Sequence, residues 1–363
     1  MIPRHDESAP RAIEATRPAN IFTSPGRFDD EQARVFRTHP LVATMSALIP
    51  EPGDGIVQDG YGPPLLIMRG QDGAVRVFLN ACKHKGATLV EHCDPFHAAR
   101  VTCPYHAWTY GLDGELKAVP REETFRNLDK AERHLTSVPC HEAGGMVWVW
   151  LDRESEPDFS AVDDELVADF DALNLAGGHI YGRKRFDLAA NWKLVLEPFL
   201  EGYHVRRLHA NTIGKLYADV PSVTHQLGSH IRQISGKADF TPESLDEAEE
   251  NIHKTVTHAY QVFPNTVVVT SPYYISVMLI MPRGVDRSVV EYFMVTPTQP
   301  DNDKAKDLYE RSYELILRVF GTEDFRAAEI SQTGLKSGAL EELVYGGLEE
   351  TIPLYYENLE RHL

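Results

Sequence analysis

Cys82-Lys83-His84 and Cys103-Pro104-Tyr105-His106 decide how the first half of the chain is read. Each segment sets a thiol and an imidazole two or three positions apart, and eighteen residues separate His84 from Cys103. Each follows a β-forming run, so the two loops can converge on one metal centre. Mixed thiolate and imidazole ligands suit two centres. One is a zinc ion. The other is a [2Fe–2S] cluster with two Cys on one iron and two His on the other.

The surrounding residues, about 41–152, read as β-rich. The runs Pro64–Arg69 and Ala74–Leu79 flank Asp72-Gly73, a hairpin signal because Gly supplies the positive φ of a tight turn. A second turn signal is Asp113-Gly114, and Val147-Trp148-Val149-Trp150-Leu151 reads as a buried strand. Residues 152–171 are strongly acidic and contain Pro157, which predicts a domain boundary and a solvated helix. Before residue 41 the expectation is a mobile tail with Pro3, Pro10 and Pro18, then a helix near 29–37 that packs on the second domain.

The second half, 153–363, mixes helices and strands. Val267–Met281 and Ser288–Thr296 are predicted to pair around Pro282-Arg283-Gly284. A helix over 306–320 has Leu308, Leu315, Ile316, Val319 and Phe320 on one face. Gly321 should break it, with another helix from about Thr322.

Bulk properties narrow the function. The chain has 363 residues, 42% hydrophobic and 25% charged, enough for two domains with ample core. A metal site in such a chain is functional rather than a staple. The formal charge of −18 argues against nucleic acid or an anionic membrane as partner. Four cysteines and no apolar signal core point to a reducing cytoplasm. Cys93 reads as a spare thiol and Cys140 as a buried apolar residue.

The second constellation lies in the run from Asn191-Trp192-Lys193 through Glu197-Pro198-Phe199-Leu200-Glu201-Gly202-Tyr203-His204 to His209. Glu201 and His204 are three apart and would share a helical face. His204 and His209 are five apart, about 140° around an ideal helix, so the helix must widen or end if both bind one ion. Two imidazoles and one carboxylate on one face of Fe(II) leave positions open for O₂.

Together these motifs resemble the large (alpha) catalytic subunit of Rieske non-haem iron oxygenases, the aromatic-ring-hydroxylating dioxygenase family. The likeness runs from about residue 40 to 340. It implies an α+β chain, in which an all-β Rieske domain (41–152) precedes a helix-plus-antiparallel-sheet catalytic domain (153–363). By the resemblance, Cys82, His84, Cys103 and His106 hold the [2Fe–2S] cluster, and His204 and His209 bind Fe(II). The third iron ligand is then Asp324, ahead of Gln332-Thr333-Gly334-Leu335-Lys336-Ser337, with Glu323 as the neighbour easily mistaken for it. Glu201 is implied to accept a hydrogen bond from His204 and to meet a cluster-ligating His of an adjacent subunit, coupling the two metals. A homotrimer follows from the same likeness.

Three positions depart from the family's pattern. Ala107 stands where Gly is usual, which removes access to positive φ. Pro198 replaces a frequent Asn. Glu201 stands where many relatives have Asp, and the longer acid resembles relatives acting on quaternary ammonium compounds.

No dinucleotide, phosphate-loop or nucleophile-elbow motif is present, so electrons are expected from a separate reductase, directly or through a ferredoxin. The favoured activity is O₂-dependent hydroxylation of an aromatic or similarly apolar small molecule. The alternatives are oxidation of a quaternary ammonium compound and a Rieske electron-transfer or redox-sensing protein without oxygenase activity. A cation cage would draw on Tyr273, Tyr274, Tyr292 or Phe293.

Overall fold

The computed structural model describes residues 12–241, 244 and 251–363. The chain forms two compact units, residues 37–177 and residues 12–36 with 178–363. No helix among the described residues is long and apolar enough to cross a membrane.

The first unit is built from three antiparallel sheets. The hairpin signal at Asp72-Gly73 joins Leu65–Arg69 to Val75–Leu79 in a five-stranded sheet, and Gly73 takes φ 80°. A three-stranded sheet of Arg100–Thr102, Thr109–Gly111 and Leu116–Ala118 turns at Gly114, also at φ 80°. Met146–Val149 is the fully buried centre of a third sheet, between Cys140–Ala143 and Leu41–Met45.

The acidic helix Asp164–Ala172 belongs to this unit, so the boundary falls at 177 rather than at 152. The reason is its apolar stripe. Leu166 and Phe170, four apart, are fully buried. Phe170 packs over Gly144, and the chain at Leu175–Ala176 lies close against Gly145, where a side chain would collide.

The second unit is a seven-stranded antiparallel sheet. Its strand order is His179–Leu188, Arg287–Thr296, Ile275–Gly284, Thr266–Thr270, Val256–Val262, His230–Gly236, Val223–Leu227. The expected single run at 267–281 is two strands, broken where Ser271 N donates to the Tyr274 carbonyl. Pro282 and Gly284 lie within the second strand, and the turn falls beyond them. Val256–Val262, Thr266–Thr270 and Ile275–Gly284 are mostly buried, so their side chains form the core.

Residues near the N-terminus close this unit. Ala15–Pro18, expected in a mobile tail, pairs with Glu342–Tyr345, while Pro3 and Pro10 lie outside the described residues. Helix Pro25–Glu31 is capped by Ser24 and ends on Glu31, which is fully buried. Glu31 accepts hydrogen bonds from Lys193 Nζ at 2.7 and 2.8 Å and from Trp192 Nε1 at 2.9 Å. Burial lowers the Lys193 pKa to about 8 despite the attraction of Glu31. Asn191 caps helix Trp192–Leu196, and its own amide donates to Gln332 Oε1 at 2.7 Å. The Asn-Trp-Lys motif and Gln332 therefore fasten together the two segments that carry the second site.

Candidate functional site

In the first unit, two loops of the same design present the cysteines and histidines. Gly86 N donates to the Cys82 carbonyl and Ala107 N to the Cys103 carbonyl. In return, the cysteine amides donate to the carbonyls of Ala87 and Trp108. Each turn needs a residue at positive φ. Gly86 supplies 74°, and Ala107 is held at 56°. The expectation that Ala107 forgoes this conformation is thus corrected: the paired hydrogen bonds impose it, at a cost of about 1 kcal/mol.

Both thiols are buried, and His84 Nδ1 faces His106 Nδ1 at 3.2 Å. Burial raises the Cys82 pKa, and the Tyr110 hydroxyl, 3.3 Å from its sulfur, pulls the other way. That hydroxyl also accepts the Lys83 amide at 3.0 Å, leaving its proton for the sulfur. Trp108 stacks flat on His84, centroids 4.7 Å apart.

In the second unit, the segment 191–209 is not one helix. Pro198 ends the regular helix, because its ring obstructs the carbonyl four residues back. Glu201 is extended, at φ −150° and ψ 161°. The expected shared helical face of Glu201 and His204 is therefore absent, yet the two side chains meet. Glu201 acts as a cap: Oε2 accepts the His204 amide at 3.1 Å, and Oε1 lies 2.6 Å from His204 Nδ1. The short helix Val205–Leu208 then has His204 at one end and His209 at the other. Ending the helix at both histidines removes the 140° mismatch, and their rings stand 5.0 Å apart at 78°.

Asp324 arrives from the far side of the sequence. Gly321 does not break the helix Asp303–Arg318; it lies in a widened, π-type turn, Val319–Asp324, that runs into helix Phe325–Lys336. Such turns are frequent at functional sites. Asp324 is buried, with Oδ1 3.1 Å from His209 Nε2 and 3.6 Å from His204 Nε2.

These donors fit a metal ion. Each histidine has Nδ1 against a carboxylate, His204 on Glu201 and His209 on Glu323, both at 2.6 Å. With the proton on Nδ1, both Nε2 lone pairs point at Asp324 Oδ1. That oxygen is buried without a hydrogen-bond donor aligned on it, so the 3.1 Å approach is not a hydrogen bond. Three acceptors facing one point call for a cation. Among the described residues, His204, His209 and Asp324 are the trio of such donors lying within 4.8 Å of one another. In the first unit two buried thiols and two facing imidazoles make up the two-thiolate, two-imidazole set that a [2Fe–2S] cluster takes.

Around the second site, the Glu197 carboxyl is pushed up to about 7 by burial, while hydrogen bonds from Tyr356 and Tyr345 act to lower it. Arg207 lies over the Tyr203 ring and pairs with Asp219, and Arg206 reaches the carbonyls of Gly214 and Tyr217. Gln261 donates to the Phe199 carbonyl, and Gln233 to that of Leu200 at 3.0 Å. The sheet thus braces the backbone just ahead of Glu201. Phe199, Phe320 and Tyr292 form a chain of aromatic contacts, with centroids 5.5 and 5.6 Å apart.

Comparison with known proteins places both units in known families. The family described as "Ring hydroxylating alpha subunit (catalytic domain)" matches residues 176–363, and "Rieske [2Fe-2S] domain" matches residues 41–139. The chain belongs to the ring-hydroxylating alpha subunit family. It is a Rieske oxygenase, with a [2Fe–2S] domain ahead of a catalytic domain of the kind that binds mononuclear iron. It is 27% identical to the carnitine monooxygenase oxygenase subunit of Acinetobacter baumannii, over 89% of this chain and 85% of that one. It is 30% identical to the glycine betaine monooxygenase oxygenase subunit of Pseudomonas aeruginosa, over 55% of this chain and 46% of that one. A quaternary ammonium Rieske monooxygenase solved with L-carnitine has the same fold, with a TM-score of 0.79 at 23% identity, covering 100% of this chain and 99% of that one.

Proposed function

We propose that this chain is the oxygenase component of a monooxygenase acting on a quaternary ammonium compound. This replaces the aromatic or apolar substrate expected from the sequence. The observation that carries it is the similarity to carnitine and glycine betaine monooxygenases. Two features support it. Glu201 stands where many ring-hydroxylating relatives have Asp. The Phe199–Phe320–Tyr292 chain begins two residues before Glu201 and includes Phe320, four before Asp324, so both segments that carry the triad also bring in an aromatic ring, the side-chain type on which a cation rests. Of the four aromatics named for a cage, Tyr292 and Phe293 are strand neighbours on opposite faces of the sheet, so one of them at most lines a given site.

His204 and His209 through Nε2, with the Asp324 carboxylate, would hold the iron, and Cys82, His84, Cys103 and His106 the cluster. When bound, the cluster supplies single electrons and the iron supplies oxygen activation. The chain's own part is orientation and exclusion of water. Glu201 fixes the proton of His204 on Nδ1, and burial of His209 and Asp324 keeps bulk water from that side. As in the family it resembles, the working form would be a homotrimer. Glu201 would there also meet His106 of the partner subunit, so that one carboxylate links two imidazoles. Electrons come from a reductase, directly or through a ferredoxin, and the compartment is the cytoplasm.

The test is O₂ uptake with a surrogate reductase. Glycine betaine, carnitine or choline should stimulate uptake with loss of a methyl group or a hydroxylated product. Stimulation by naphthalene and by none of the cations would overturn the assignment.

A further inference from the structure

Glu323 is the one residue of the site that the sequence presented as a decoy, and its geometry gives it a separate task. It immediately precedes Asp324 on the widened turn. The two adjacent carboxylates address the same imidazole from opposite nitrogens: Glu323 Oε2 meets His209 Nδ1 at 2.6 Å, while Asp324 Oδ1 faces Nε2. The same Glu323 oxygen accepts the Thr212 hydroxyl at 2.8 Å. Thr212 lies three residues past His209, and its amide donates to the His209 carbonyl. Glu323 is therefore tied at both ends of the short segment that carries the second histidine. The His209 side chain is 3% exposed, so water has little access to serve as a substitute partner for Nδ1.

We propose that Glu323 is a positioning residue for the metal centre: it holds His209 in the Nδ1–H form, with the Nε2 lone pair aimed at the ion. This rests on the proposed His204–His209–Asp324 triad. It makes the site two matched pairs, Glu201 with His204 and Glu323 with His209. The pairs differ in what lies beyond them. Glu201 would be the acid at the subunit junction of the proposed trimer, whereas Glu323 pairs with Thr212 of its own chain and would serve the metal alone. An imidazole free to take its other tautomer would offer the ion an N–H instead of a lone pair, so losing Glu323 weakens binding without deleting a ligand.

The experiment uses full-length protein with its cluster in place and Co(II) as the probe, titrated against a competing chelator. The variants Glu323→Leu and Glu323→Gln match the side chain in size, so neither opens a cavity. In Glu323→Leu the Co(II) dissociation constant should rise about 10- to 100-fold, while the cluster spectrum stays that of wild type. Glu323→Gln keeps an acceptor oxygen for Nδ1–H and should recover most of that loss. It should also restore the wild-type Co(II) visible band, which a role in loop stability alone would not move. Wild-type affinity in Glu323→Leu overturns the proposal, as does Glu323→Gln binding as poorly as Glu323→Leu. Asp324→Ala run alongside separates the two claims: wild-type Co(II) binding there overturns the triad itself.

Discussion

The two metal-binding regions hold histidines in opposite ways. In the cluster loops, His84 and His106 have each other, a tryptophan face and the exposed tip of the unit around them, and no carboxylate is paired with either among the described contacts. In the catalytic unit each histidine has its own acid at 2.6 Å. The difference follows from the chemistry each centre must do. A [2Fe–2S] cluster is charge-balanced by sulfide and two buried thiolates, and it needs ligands only from two neighbouring turns. A mononuclear site must keep positions open, so it has few ligands and depends on the groups that orient them.

Loss of a cluster thiolate is expected to have the largest effect. Cys103→Ala should abolish the brown colour and the labile sulfide, about two per chain in wild type, yet leave Co(II) binding at the second site intact. Loss of both together would mean that the two sites are not independent. Next comes Glu201→Gln, which should retain both metals while single-turnover oxidation of the cluster slows by orders of magnitude. Loss of the iron instead would make Glu201 a ligand, and unchanged kinetics would remove it from the electron route.

A smaller effect is structural. Glu31→Ala strands the Lys193 ammonium in a buried site, and should destabilise the catalytic unit by about 3–5 kcal/mol in denaturant unfolding. A change under 1 kcal/mol would mean that water reaches Lys193. The smallest effect is in the cluster loops: Ala107→Gly relieves the left-handed strain and should stabilise the cluster unit by about 1 kcal/mol, seen as slower loss of the cluster on heating.

The same contrast explains what was legible in the sequence. The proposed cluster ligands are sequence neighbours on hairpin-like turns, so Cys82, His84, Cys103 and His106 stood out with their register. The proposed iron site joins residues more than a hundred positions apart. His204 and His209 carried a weak signal alone, and Asp324 came from resemblance rather than from spacing. The widened turn at Val319–Asp324 left no mark in the hydrophobic pattern, so Gly321 read as a breaker and Glu323 as a rival to Asp324. The Glu201 cap was hidden for a similar reason: a three-residue spacing suggests a helical face, whereas Pro198 had already ended the helix. Leu166 and Phe170 showed the right spacing in the acidic stretch, but charge on the other face masked them and moved the domain boundary.

The chain is proposed to hold two centres with separate ligands, one of them completed by a distant carboxylate. Asp324→Ala tests this most directly, with iron, labile sulfide and substrate-stimulated O₂ uptake measured on one preparation. Full sulfide and an unchanged cluster spectrum, loss of the mononuclear iron, and no stimulated uptake are expected. Normal turnover in Asp324→Ala, with Glu323→Ala inactive and free of iron, would contradict it.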